Sequence, residues 1–289
     1  MWKADHRDVR RWFVFLAQTV KPQSVEVACA ALTATFETLG KGNAHGEPGL
    51  GTRPSPARHP EVQRVLRGIR AEHGAEPVRK RPLLIASLDT YIAASPETVR
   101  AIRDAAILCV GVYGCRRRSE IVGLDFGPGG SGSGYATITN EGLLIKLRRS
   151  KTSRAGDEEL PYAIPYRRSA PRFCPVLAVE RWIAAAGIAQ GEALFRGVDR
   201  HGNVRAGRLR GGAVGRVVKR AATELGMDPA CMGGHSLRAG GITSLAKDGL
   251  SLPDIQVQSG HKSLGTLATY VRLERSFEDS PLLRLGAYR

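Results

Sequence analysis

Residues 233–272, GGHSLRAGGITSLAKDGLSLPDIQVQSGHKSLGTLATYVR, hold the side chains best suited to chemistry. His235 and Arg238 stand three apart, so on a helix starting here both project from one face. An imidazole beside a guanidinium suits a phosphate oxygen. His261 follows directly on Gly260, and Tyr270 comes nine positions after His261. A glycine that stops a helix leaves the next side chain free to enter a cleft. Each feature alone is better read as structural or as a solvated helix face. The ordered set of HxxR, Gly-His and Tyr is much harder to obtain by chance.

Two upstream segments add cations. In YGCRRRSEIVGLDF, residues 113–126, Arg117 stands three before Glu120, and an Ile-Val-x-Leu run follows that can anchor a helix in the core. Three consecutive arginines read as a charge cluster facing DNA, of which only one need point inward. In LLIKLRRSKTSRAGDEELPYAIP, residues 143–165, the order is strand, basic turn, strand, with Lys151 at the tip. A flexible ammonium there can reach a substrate.

The whole chain agrees with an anionic partner. Of 289 residues, 43 are Lys or Arg and 27 Asp or Glu, a formal charge of +16. The isoelectric point near 10.2 puts nucleic acid first among partners. Five cysteines, an odd number with no CxxC pair, argue against a disulfide framework or a zinc site. The N-terminus MWKADHRDVRRW lacks the apolar core of a signal peptide, and no run approaches the ~20 apolar residues that span a bilayer. A soluble, cytoplasmic protein with no membrane partner is expected.

These side chains need elements to position them. The spacing predicts helices over 6–18, with Val9, Trp12, Phe13 and Leu16 on one face, over 24–39 with Ser24 as N-cap, and over 61–72. The Gly- and Pro-rich stretch 41–60 predicts a long loop without regular structure. Residues 74–82 read equally as an interdomain linker or a surface loop. Further helices are predicted over 87–94, 96–112, about 175–186 and 211–225. GPGGSGSG, 127–134, predicts a flexible turn leading to strands over 135–139, 143–148 and 160–164 in a small antiparallel sheet. Ser251 with Pro253 and Asp254 predicts a helix start, Gly260 its stop, and Ser263 the cap of a helix carrying Tyr270. The fold class is therefore mainly α with a small antiparallel sheet, α+β. An all-α domain, 1–76, precedes a second domain, 77–289, that ends in a tail, 280–289.

With these motifs in place, the chain resembles the tyrosine recombinase (phage integrase) family, and its last third resembles the Cre-like members. The resemblance runs from about residue 6 to the end and is strongest over 113–126 and 233–272. It implies a core-binding domain, apparently short at its N-terminus, followed by a catalytic domain. It carries the family's catalytic roles onto Arg117, Glu120, Lys151, His235, Arg238 and His261, with Tyr270 as nucleophile. The implied activity is site-specific DNA recombination without ATP, through a covalent 3′-phosphotyrosyl intermediate. Two arginines would stabilise the transition-state charge, Lys151 would protonate the leaving oxygen, and Glu120 would orient a cation or a His. Neighbouring cations are expected to favour the Tyr270 phenolate. No metal or cofactor is expected. The implied partners are double-stranded DNA and three further copies, forming a homotetramer on two sites from a free monomer. The alternatives are a type IB topoisomerase or telomere-resolvase-like strand transferase, and a non-cutting DNA-binding accessory protein.

Overall fold

The computed structural model describes residues 5–40, 54–74, 80–148 and 161–272. The chain divides into two compact units, Met1–Val78 and Arg79–Arg289.

The first unit is helical. Helix α1, His6–Ala17, starts in a reciprocal cap: the Asp5 carboxylate accepts from the N–H groups of Arg7 (2.7 Å) and Asp8 (3.1 Å), and Asp8 accepts from that of Asp5. Helix α2, Pro22–Gly40, begins two residues before the expected Ser24, because proline fits the first helical turn, where its missing N–H has no partner to lose. Helix α3 covers Pro60–His73. The stretch expected to be irregular contains a 3-10 turn, Pro56–Arg58, with the Ser55 hydroxyl accepting from the Ala57 N–H. Its residues 41–53 lie outside the described residues. Val9, Phe13, Val25, Ala57, Val62 and Ile69 form the core. Trp12, expected inward, sits at the edge of the α1 stripe and is 42% exposed. His6 stacks on His59 at 3.8 Å, and Arg10 pairs with Glu61 at 2.9 Å, which ties the start of α1 to that of α3.

The second unit opens with an extended stretch whose N–H groups, from Arg81 and Leu83, donate to the carbonyls of Cys231 and Ser236. Helix α4 is Ile85–Ala94 and α5 is Val99–Tyr113. Thr98, not Pro96, starts α5, because its hydroxyl can accept from the Ala101 N–H. Helix α5 is buried from Ala106 to Val112 and forms the spine of the unit. It packs on α7, Pro175–Ala186, and α9, His235–Lys247. Helix α6, Arg118–Val122, leads into a four-stranded sheet in the order β1 (Leu124–Phe126), β2 (Gly134–Ile138), β3 (Gly142–Leu147), β4 (Tyr162–Pro165). The pairs Ala136–Ile145 and Leu143–Ile164 place β2–β4 in antiparallel register. Strand β1 adds in parallel, Asp125 opposite Tyr135. It lies in the run read as a helix anchor, and three residues are too few to show a period.

The glycine-rich 127–134 segment is organised by Asp125, which is fully buried. Asp125 accepts from the Gly132 N–H at 2.7 Å and pairs with Arg208. Arg148 donates to the carbonyls of Gly130 and Gly132. A buried carboxylate demands such partners, and here they shape the loop. A hairpin of β5, Arg196–Val198, and β6, Val204–Arg208, was not foreseen; its turn is held by Asp199, which accepts from the N–H groups of His201 and Asn203. Helix α8 (Gly211–Glu224), then α9, α10 (Leu252–Ser259) and α11 (Leu264–Arg272) make up the rest of its described part. No described helix is long and apolar enough to cross a membrane.

Candidate active site

Helix α9 begins at His235, so His235 and Arg238 fall in its first turn. The helix lies very close to its neighbours: a Cβ at Gly240 would stand 1.8 Å from the Leu83 carbonyl oxygen, and one at Gly241 2.1 Å from that of Val112. That contact drives Arg238 inward, where it is 1% exposed. Its Nη1 donates to the Cys115 carbonyl at 2.8 Å, and its Nη2 lies 3.1 Å from Nδ1 and 3.2 Å from Nε2 of His261. Cys115 holds a left-handed backbone, φ 52°, uncommon for a residue with a side chain. That turn aims its carbonyl at Arg238.

Helix α10 is capped by Ser251, whose hydroxyl accepts from the Asp254 N–H, and ends at Gly260 with φ 66°. Glycine takes that conformation without the steric penalty of a side chain. His261 follows, buried, with Nδ1 2.7 Å from the Ser259 hydroxyl. Burial and then the charge of Arg238 push its pKa down to about 4, so the ring is neutral near pH 7. Burial, then Arg117, brings Arg238 down to about 10, which leaves it charged.

Arg117 caps α6 from the position before it. Its backbone N–H and its Nη1 both donate to the buried Glu120 carboxylate, at 2.9 and 2.6 Å. Glu120 is thus fully engaged in orienting this arginine. The charge of Arg117 acts on His235, Arg238, His261 and Tyr270.

Tyr270 lies on α11, three residues after the buried Leu267. Leu267 packs with Cys115, Ile242 and Ile255, and Tyr270 lies against the same cluster. The Tyr270 hydroxyl is 2.8 Å from His235 Nε2, and the ring is 5.8 Å from that of His261. Arg238 and Arg117 favour the Tyr270 phenolate, as expected, but burial outweighs their pull and the Tyr270 pKa is raised. Tyr270 therefore rests as a phenol. Burial, then Arg238 and Arg117, lowers the pKa of His235, so the imidazole beside that phenol is unprotonated at neutral pH.

Five of the seven residues singled out in the sequence therefore form one cluster: His235, Arg238, His261, Tyr270 and, through its charge, Arg117. Glu120 joins them through Arg117. Lys151 lies outside the described residues.

A model of the phage integrase family matches residues 86–276. The chain belongs to that family. It is a tyrosine site-specific recombinase. Over 244 residues it is 31% identical to an integrase/recombinase XerD homologue of Selenomonas ruminantium, covering 83% of this chain and 68% of the relative. Among solved structures, its fold is similar to that of the XerH site-specific recombinase bound to palindromic difH (TM-score 0.62, 16% identity, 95% of this chain, 70% of the other). It also resembles the Tn1549 transposon integrase in complex with transposon right-end DNA (TM-score 0.56, 18% identity, 98% and 86%).

Sequence reasoning about this recombinase overlooked the residues that hold the cluster in place. The three arginines, read as a surface cluster, separate in space: Arg116 is 1% exposed, Arg117 is half-buried at the site, and Arg118 is exposed. Ser259, Cys115 and Gln256, whose Nε2 donates to the His261 carbonyl at 2.7 Å, were also passed over. Nothing in their residue types marks them, because their roles depend on contacts across the fold.

Proposed function

We propose that this recombinase cuts and rejoins DNA by attack of the Tyr270 oxygen on a scissile phosphorus. The Tyr270 hydroxyl, 2.8 Å from a neutral His235 and in the field of Arg238 and Arg117, is the observation that carries this reading. His235 Nε2 takes the phenol proton as the O–P bond forms. The 5′-oxygen leaves, with Lys151 as the donor of its proton, and the phosphate stays on Tyr270 as a 3′-phosphotyrosyl ester. Bond energy is conserved, so a 5′-hydroxyl from a partner strand reverses the step without ATP. Arg117, fixed by Glu120, and Arg238 stabilise the added charge on the non-bridging oxygens, where fixed donors act most strongly. His261, neutral, contributes a hydrogen bond rather than a charge.

Double-stranded DNA is the partner that a net charge of +16 suits. The helical first unit is the core-binding domain and the second the catalytic domain. Four copies assemble on two sites, and the free protein is a monomer in the cytoplasm. A tetramer in sedimentation without DNA would count against this assembly.

The direct test is covalent capture on nicked duplexes drawn from a random-sequence pool, in which the short fragment bearing the released 5′-hydroxyl diffuses away and religation is prevented. The wild-type chain forms an adduct that digestion maps to Tyr270, and Tyr270→Phe binds the captured duplexes without forming one. An adduct on any other tyrosine, or adducts with Tyr270→Phe, would refute the assignment.

A further inference from the structure

Among the described residues, Arg116 is one of the two largest charged side chains that are fully buried, and the reaction just described does not use it. Its partners among the described residues are two carbonyls and a ring. Nε donates to the Gly114 carbonyl and Nη2 donates to that of Gln258 at 2.6 Å, while the guanidinium carbon lies 3.6 Å from the centroid of the Tyr162 ring. None of these is an anion. Burying a guanidinium on such partners costs desolvation that an apolar side chain of similar size avoids. The placement therefore calls for a reason beyond stability.

The partners indicate one. Gln258 sits in the last turn of α10, where carbonyls lack helical partners, and His261 comes three residues later. The Gln258 side chain donates to the carbonyls of Tyr113 at 2.9 Å and Ala163 at 3.3 Å. Tyr162 also underlies Gly260: a Cβ there would meet its hydroxyl at 2.3 Å. The end of α5, strand β4 and the α10–α11 turn thus converge on one guanidinium. On one side of Arg116 in sequence stands Cys115, whose carbonyl holds Arg238; on the other stands Arg117.

We propose that Arg116, stacked on Tyr162 and bonded to the Gln258 carbonyl, is a positioning residue that sets the place of His261 against Arg238. It also joins β4, the strand after the segment that carries Lys151, to the turn that carries His261. The role rests on the cleavage reaction proposed above. The charge of Arg116 is among those that hold the His261 ring neutral, consistent with its nearness to the ring. Planarity matters as much as charge here: the fork reaches two carbonyls while its face lies on an aromatic ring, and a lysine ammonium cannot do both.

The test uses Arg116→Met, which removes charge and fork, and Arg116→Lys, which keeps the charge alone. Single-turnover cleavage is measured on a nicked duplex captured from the random pool by the wild-type chain. The His261 ring is followed by NMR of histidine-labelled protein without DNA, its signal identified by loss in His261→Gln. At saturating protein, both variants cleave slower by about 100-fold, the scale of an ångström-sized misplacement, with Kd changed by less than about threefold. The His261 ring signals move in both variants, but its titration rises toward the usual range only in Arg116→Met. Should Arg116→Met prove unfolded, Tyr162→Leu removes the stacking platform instead and shifts the same signals, with cleavage about tenfold slower.

Full cleavage by Arg116→Lys would reduce the role to charge. A defect confined to Kd would make Arg116 a DNA contact. Unmoved His261 signals in the folded variants would remove the positioning role altogether. If the wild-type chain captures no duplex, the cleavage reading fails, while the NMR comparison still decides whether Arg116 places His261.

Discussion

The candidate active site has two faces of opposite character. On one, Arg238, His261 and Glu120 are buried and hydrogen-bonded to fixed partners: Cys115, Ser259 and Arg117. On the other, Tyr270 is half-buried on the short helix α11 and its hydroxyl meets His235 in the first turn of α9. The face that holds Arg238 comes ready-made, and the face that holds Tyr270 is open. Electrostatic stabilisation works best from dipoles and charges that need not move during the reaction, so its groups belong in the core. A nucleophile must reach a phosphate that arrives from solvent. The upward shift of the Tyr270 pKa reflects the same division, since the cations attract the phenolate but burial holds the proton on until a base removes it.

The sharpest way to break the fixed face is Arg238→Ala. It leaves the Cys115 carbonyl without this donor and removes the charge nearest His261. The expected outcome is a loss of cleavage on the order of 1000-fold, with Tyr270 still present and DNA binding largely kept. Single-turnover cleavage at saturating protein checks it. A loss below about tenfold would mean that Arg117 alone supplies the charge.

His235→Ala tests the open face and is expected to slow cleavage by about 100-fold. The pH profile carries more information than the rate. His235 titrates below its ordinary 6.5, and only the unprotonated ring can accept a proton. Wild-type cleavage should therefore be flat around neutrality and fall as pH drops through that lowered value. In His235→Ala this acid limb disappears and the rate climbs with pH toward the range where Tyr270 ionises. An unchanged acid limb would assign it to another group.

The smallest expected effect concerns stability. The folded His261 titrates at about 4, below the ordinary 6.5 of an exposed imidazole. Between those values the unfolded chain binds a proton there that the folded chain refuses. The contribution of His261 is therefore complete above pH 6.5 and is lost as pH falls toward about 4. In His261→Gln the melting temperature should decline less steeply across that window than in the wild type. Parallel curves would show that the buried ring is not the sensor.

Amphipathic spacing and caps made most helices legible in the sequence. Val9 and Phe13, the Ser251 cap and the Gly260 stop all stand where local rules put them. The errors fall where distant partners decide. Strand β1 exists because Leu124–Phe126 pairs with β2, and the glycine-rich loop is ordered because Asp125 lies buried beneath it. Trp12 faces outward because it stands at the margin of its stripe.

The site divides along the same line. Residue type and order, with the family resemblance they carry, single out Arg117, Glu120, Lys151, His235, Arg238, His261 and Tyr270 as a candidate phosphate-directed set, because a guanidinium, an imidazole and a phenol keep their chemistry in any fold. Only the tertiary structure decides that Arg116 turns inward while Arg118 stays in water, that Cys115 aims a carbonyl at Arg238, and that the Tyr270 proton is held rather than released. Those outcomes depend on burial and on partners more than a hundred positions away in the chain, such as Gln258 for Arg116 and Cys115 for Arg238. Local spacing carries no information about groups brought together over that separation.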